Sequence, residues 1–477
     1  MARCPILVLA LMTGLCAPVL GQEASVPPEA PYSWPEDPAV REKLDRWQDL
    51  KFGVIFHFGL YSAAGIVESW TLCREDWIRR PEGKTYQEYK AWYWSLAERF
   101  DPRAFDPDPW AEAARDAGMR YVVFTTKHHD GFCLFDTHQT EFKITSGPFS
   151  DHPRADITRH VFEAFRRRGF MIGAYFSKPD WHCQDYWWNE RPTPDRNVNY
   201  DIREHPDRWR RYQDFTSRQI GELMTGYGLI DILWLDGGWV RPKNTLTEEV
   251  LSWGAPIPDF DQSIDLPGIA ARARTEQPGL LIVDRTVHGE LENYRTPERR
   301  IPEDPLPYPW ESCLPLGNNW GFVPGDPLKS PTTVIHSLIE IVAKGGSLLL
   351  GIGPRPDGTL DDEALTILAD MGGWMKRNGE AIYETRSTSP YRDGETFFTR
   401  GKDGTRYALV RIPEGAPLPS LITWKRSPPE TGSSMVILGE ERDVLWRQEG
   451  DTTLVTLPAA VQGSASPALV LRFSPAE

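Results

Sequence analysis

Short apolar runs recur along the chain, and stretches of helical period separate most of them. The runs cover residues 52–58, 121–126, 171–176, 229–235, 280–283 and 348–352. Apolar residues return with a helical spacing at about 86–98, 108–117, 157–168, 205–226, 266–276, 332–343 and 361–377. Strands alternating with helices predict a parallel sheet covered on both faces. Five of the runs end in a polar or glycine-containing cluster: His57-Phe58-Gly59, Lys127 to Gly131, Ser177-Lys178-Pro179-Asp180, Asp236-Gly237-Gly238 and Asp284-Arg285. Reactive residues at the carboxyl ends of several strands mark a (β/α)8-like TIM barrel. A doubly wound sheet instead requires a phosphate-binding glycine fingerprint at its first strand–helix turn. Gly53 and Gly59 do not form one.

The pattern changes near residue 385. Helical period stops, and short alternating pieces with turn signals follow at 396–400, 407–412, 421–424, 434–438, 453–457 and 468–473. Lys402-Asp403-Gly404 is a hairpin signal. Residues 22–385 are therefore read as the barrel and 386–477 as a small antiparallel β-sandwich. Residues 1–21 read as a secretory signal peptide: Arg3, then an apolar stretch, then Val19-Leu20-Gly21 as a small-residue cleavage site. That stretch is too short for a permanent span, so export to the periplasm or the extracellular space is expected, without membrane insertion.

The net charge of -15 argues against nucleic acid, whose phosphates require a basic surface. Cys73, Cys133, Cys183 and Cys313 are too widely spaced for a zinc site or a dense disulfide framework, so buried free thiols are expected. The 19 tryptophans suggest a site lined with flat apolar faces.

The sharpest chemical signal is Trp234-Leu235-Asp236-Gly237-Gly238. Side chains alternate along a strand, so Ile232, Trp234 and Asp236 share one face. If that face points inward, Asp236 sits at the barrel mouth above Trp234, and the glycines allow a ligand close to the backbone. The plain alternative is that Asp236 caps the next turn. By the same alternation His57 points inward. His128-His129-Asp130 looks like a metal cluster, but adjacent strand residues face opposite ways and no helical His pair is present. No metal or other cofactor is expected. Trp, His and carboxylate groups at one mouth suit a small polyol, with rings against its C–H face and polar groups on its hydroxyls.

Six motifs occur in register: Phe56 to Ser62 (FHFGLYS), Lys127 to Phe132 (KHHDGF), Gly173 to Ser177 (GAYFS) with Asp180-Trp181, Trp234 to Gly237, Val283-Asp284-Arg285, and the 343–353 stretch. Pro309-Trp310-Glu311, Trp320-Gly321 and the 379–383 stretch continue the pattern. Together they resemble glycoside hydrolase family 29, the α-L-fucosidases, over about residues 40–385.

The resemblance implies an exo-acting, retaining, two-carboxylate hydrolysis of terminal α-L-fucosyl residues on an oligosaccharide or polysaccharide. Asp236 matches the family's nucleophile. The acid/base varies in position within the family; Glu298 is the choice here, with Glu290, Glu292, Glu303 and Glu311 as rivals and Glu311 read as pocket support. His57, His128, His129, Tyr175, Trp234 and Arg285 match the residues that hold the sugar. Trp70 closes one side, although Glu68-Ser69-Trp70 departs from the usual spacing. The long stretch 239–260 could narrow the site. The competing readings are an exo-glycosidase for a related sugar such as α-L-galactose, and a non-catalytic fucose-binding protein on the same barrel.

Overall fold

The computed structural model describes residues 31–476, apart from 76, 77, 81, 194, 247, 253, 255 and 256 and the side chain of Glu249. The expected signal peptide, 1–21, lies outside the described residues.

Seven parallel strands form one sheet: β1 (Phe52–Phe56), β2 (Tyr121–Lys127), β3 (Met171–Ser177), β4 (Ile232–Asp236), β5 (Leu281–Asp284), β6 (Glu311–Pro315) and β7 (Ser347–Ile352). Their order is β5-β4-β3-β2-β1-β7-β6. Nearly every strand residue is buried, as a sheet covered on both faces requires. The outward set, including Val54, Phe56, Phe124, Phe176 and Leu235, packs under the helices. The inward set, including Ile55, Val123, Tyr175, Trp234, Val283 and Leu349, fills the barrel.

The eighth position has no regular strand. An extended segment, 292–299, lies between β5 and β6 instead. It bridges Val283 through Glu292 in antiparallel sense, then Trp310 through Arg295 and Cys313 through Glu298 in parallel sense. The Asn293 amide bonds Ile282, and the amides of Arg295 and Arg299 bond Pro309 and Cys313. The architecture is thus (β/α)8-like, with a folded-back segment closing the ring.

Two elements were not foreseen from periodicity. β6, of sequence ESCLP, has no apolar run because its inward residues are Glu311 and Cys313. The helix Pro38–Leu50 plugs the bottom of the barrel with Val40, Leu44 and Trp47, and the Trp47 ring stacks on Tyr294 at 3.8 Å.

Beyond the barrel, β8 (Arg386–Asp393), β9 (Thr396–Arg400), β10 (Arg406–Arg411), β12 (Met435–Ile437), β13 (Arg442–Asp443) and β16 (Ala468–Phe473) form one sheet. A second holds β11 (Leu421–Lys425), β14 (Leu445–Glu449) and β15 (Thr452–Thr456). Phe398, Leu471, Trp424 and Val455 from the two sheets share one core, so this is a sandwich. Its β9–β10 hairpin turns at Gly404, with φ 94°.

Where the two parts meet, Lys51 is fully buried and its Nζ has no hydrogen-bond partner among the described residues. Burial, helped by Arg386, pushes its amine down to about 7. Between pH 7 and 10.5 the native state then holds fewer protons than the unfolded chain, so this group makes stability rise with pH. At about 1.4 kcal/mol per pH unit the penalty near pH 7 is on the order of a few kcal/mol. Lys51→Met is expected to raise Tm at pH 7 and to raise it much less at pH 10. A gain independent of pH in thermal melts would contradict this.

Candidate active site

The ends of β1–β6 surround a cavity of about 520 Å³. Its lining includes His57, Glu68, Trp70, His128, Tyr175, Arg196, Trp234, Asp236, Trp239, Arg285, Glu298, Arg299 and Trp320. Strand alternation puts Trp234 and Asp236 on the inward face of β4, as their spacing requires. Tyr175, the paired residue on β3, stacks on Trp234 at 5.4 Å and donates to Asp236 Oδ2 at 2.8 Å.

Asp236 also accepts from the Gly237 amide at 2.8 Å, so the turn-capping contact exists alongside the others. Gly237 has φ 87°, and a Cβ there would meet Pro179, so its freedom serves packing against the β3 loop rather than ligand approach.

Arg285 ties the site together. It donates to Asp236 Oδ1 at 2.8 Å, Glu298 Oε2 at 2.7 Å and Thr296 Oγ1 at 3.2 Å, while its Cζ lies 4.6 Å from the Trp234 ring centre. One guanidinium therefore holds two carboxylates on one cavity. Burial raises the Asp236 carboxyl, but the Arg285 charge and the Tyr175 hydrogen bond outweigh it and hold Asp236 well below the usual carboxylate range. Asp236 is ionised at any ordinary pH.

The histidines take the opposite course. Burial pushes His128 down to about 4 and His57 and His129 well below the usual imidazole range, so all three are neutral. His57 stacks on Trp320 at 5.3 Å, and His128 bonds Ser69 through Nδ1. His129 sits behind the lining. Its Nδ1 is 2.7 Å from Ser177 Oγ and its Nε2 is 3.7 Å from Asp236 Oδ2. Ser177 already donates to the Pro179 carbonyl, so Nδ1 of His129 carries the proton and Nε2 faces the site as an acceptor.

The rival carboxylates separate cleanly. Glu290 and Glu303 are exposed, and Glu292 is buried against His288 at 2.6 Å. Glu311 lies below the cavity floor, accepting from Tyr121 at 2.7 Å and Trp234 at 3.1 Å. Burial pushes its carboxyl up to about 7. Glu298 alone among the five lines the cavity, where it also accepts from Trp320 Nε1 at 3.2 Å.

A family model described as Alpha-L-fucosidase matches residues 19–380. The chain belongs to the alpha-L-fucosidase family. It is a glycoside hydrolase by that membership. Plasma alpha-L-fucosidase of Homo sapiens is 27% identical over 390 residues, covering 77% of this chain and 76% of the relative. The structure of alpha-L-fucosidase isoenzyme 1 from Paenibacillus thiaminolyticus is 27% identical with a TM-score of 0.73, covering 92% of this chain and all of the other. The alpha-fucosidase of Thermotoga maritima, solved in complex with fucose, is 25% identical with a TM-score of 0.68, covering 91% of this chain and 98% of that one.

Within this fucosidase frame, sequence reasoning named Trp70 as closing one side of the cavity but missed the residues that build that wall around it. The Arg196 guanidinium lies 4.8 Å from the Trp70 ring and 5.1 Å from Trp239, and it pairs with Glu75 at 2.8 and 2.5 Å. Trp70 meets His129 edge-on at 5.1 Å. Glu68 accepts from the amides of Trp320 and Gly321 at 2.7 and 2.9 Å, fixing the loop that carries Trp320. Arg196, Glu68 and Glu75 come from segments outside the regular strands, where no period marks them; of this wall only Trp70 was legible, through the family resemblance.

His128, His129 and Asp236 place ligand-capable atoms within 4.8 Å of one another, the one such group among the described residues. Both Asp236 oxygens already accept bonds, one from a guanidinium, and a divalent cation there would face that positive charge. The group suits hydroxyl recognition better than coordination. Dialysis against EDTA is expected to leave fucosidase turnover unchanged within about twofold, or roughly 0.4 kcal/mol. Loss restored by a divalent ion would reverse this reading.

Among the described residues the four cysteines are free: Cys73, Cys133 and Cys313 are buried and Cys183 is half-buried. Among the described residues no helix is long and apolar enough to cross a membrane.

Proposed function

We propose that the chain is an exported, retaining exo-α-L-fucosidase acting on terminal α-L-fucosyl residues of glycans, with Asp236 as nucleophile and Glu298 as acid/base. The observation that carries this reading is Arg285 bonded to both carboxylates across one cavity. Two nitrogens of one guanidinium share a carbon, so their two carboxylate partners are drawn together. Close-set carboxyl groups, about 5–5.5 Å apart, belong to double displacement, whereas inversion requires about 6.5–9.5 Å to seat a water.

In the first step an Asp236 oxygen bonds to the anomeric carbon as the glycosidic C–O bond breaks, and Glu298 gives its proton to the leaving oxygen. In the second, water bonds to the anomeric carbon, its proton passes to Glu298, and the Asp236 ester bond breaks. The sugar leaves with its original configuration. His57, His128 and His129, all neutral, supply acceptors and donors to its hydroxyls, while Trp70, Tyr175, Trp234 and Trp320 offer ring surface to its C–H groups.

Following early turnover of an aryl α-L-fucoside by proton NMR tests this. The α-anomer should appear first and the β-anomer only by mutarotation. First appearance of the β-anomer would replace double displacement by inversion. Export rests on the apolar N-terminal stretch; cleavage near Gln22, read from the N-terminus of the secreted chain, checks it.

A further inference from the structure

The turn that delivers Arg285 is strained, and a second arginine sits at the strained residue. The Val287 amide closes a turn on the Asp284 carbonyl at 3.0 Å. The third residue, Thr286, has φ 61°. A β-branched residue is poorly suited to that region, and such turns normally place glycine there. Lys178 anchors the first residue through a 2.5 Å bond to Asp284.

Arg241 comes from the other side, on the loop that follows Asp236. It is buried, and its guanidinium donates to three main-chain carbonyls and to one hydroxyl. Nε donates to the Gly238 carbonyl, NH1 to Thr245 O at 2.6 Å, and NH2 to Thr286 O at 2.5 Å and Thr286 Oγ1 at 3.0 Å. The Thr286 hydroxyl in turn donates to the Arg285 carbonyl at 2.6 Å. Glycine at 286 would relax the backbone but remove both hydroxyl contacts, which accounts for a threonine at a position that favours glycine.

The geometry points to Arg241 as a positioning residue: it clamps Thr286 in the left-handed conformation and so aims Arg285 at Asp236 and Glu298. It touches neither carboxylate, and its effect passes through Thr286. This rests on the fucosidase reading above. Backbone outliers held by surrounding structure are a recurrent feature of active sites, and here the holding group is identifiable.

The test is a rescue experiment on an aryl α-L-fucoside, with kcat, KM and Tm measured together. Arg241→Lys keeps the charge but cannot span three carbonyls, and Arg241→Met removes it. Both are expected to lower kcat, by roughly tenfold for Lys and more for Met, with KM changing less. Thr286→Gly alone should be tolerated, because glycine holds a positive φ unaided. Placed in either Arg241 background, it should restore about fivefold or more of the lost kcat without restoring Tm. A clamp that served only loop stability would move Tm and gain nothing from glycine.

The inference is overturned if Arg241→Lys keeps kcat within about twofold, or if Thr286→Gly restores nothing in that background. If Arg241→Met does not fold, the lysine pair carries the comparison. A wild-type enzyme with no turnover would defeat the fucosidase reading instead. The clamp would then be read from crystal structures, in which Arg285 should leave Asp236 in Arg241→Lys and return with Gly at 286.

Discussion

Replacing Asp236 by glycine is expected to lower kcat by at least about a thousandfold, which is roughly 4 kcal/mol of transition-state stabilisation. Asp236 is the inward residue at the mouth end of β4, held ionised by Arg285 and Tyr175. No other side chain replaces an oxygen that must bond to carbon. The fold should survive, because losing three hydrogen bonds, from Tyr175, Arg285 and the Gly237 amide, is offset by removing a buried charge. Circular dichroism melts and kcat on an aryl fucoside measure both effects. Azide should enter from the face that Asp236 vacates and give the β-fucosyl azide. A variant retaining more than about a tenth of wild-type kcat, a loss of under 1.4 kcal/mol, would remove Asp236 from the nucleophile role.

Glu298→Ala is expected to divide substrates by leaving group. Proton donation is worth about 10²–10⁴-fold where the departing oxygen is a poor leaving group. Turnover of a fucosylated oligosaccharide should therefore fall by about that factor, while an activated aryl fucoside, whose departure needs no proton, loses far less. Azide should then attack the glycosyl-enzyme where the general base is missing and release the α-fucosyl azide. The opposite configurations of the two azides assign the two carboxylates independently. Equal losses on both substrates without azide rescue would take the acid/base role from Glu298.

Much of this molecule is legible in its residue pattern. Helices were placed to within a residue or two where apolar spacing is long and unbroken, as at Pro206–Gly226 and Leu266–Glu276. Strands read as apolar runs because both faces of the sheet are covered. β6 escaped because a strand whose inward residues bond one another as polar groups carries no apolar signature. Alternation alone put Trp234 and Asp236 on one face of their strand, since a period of two leaves a strand residue only two faces, and the closed sheet decided that this face is the inward one.

Glu298 is a different case. Its place beside Glu290, Glu292, Glu303 and Glu311 was visible, but its separation from them depends on segment 292–299 folding back between β5 and β6. The Arg196–Trp70–Trp239 wall and the Arg241 clamp likewise join residues from different loops. Local spacing therefore determined which residues stand on strands and which way they face, because backbone geometry sets that within a few residues. Only the tertiary structure decided which loop carboxylate reaches the cavity and which guanidinium spans two of them. Those contacts join distant segments whose meeting is set by how the whole barrel closes.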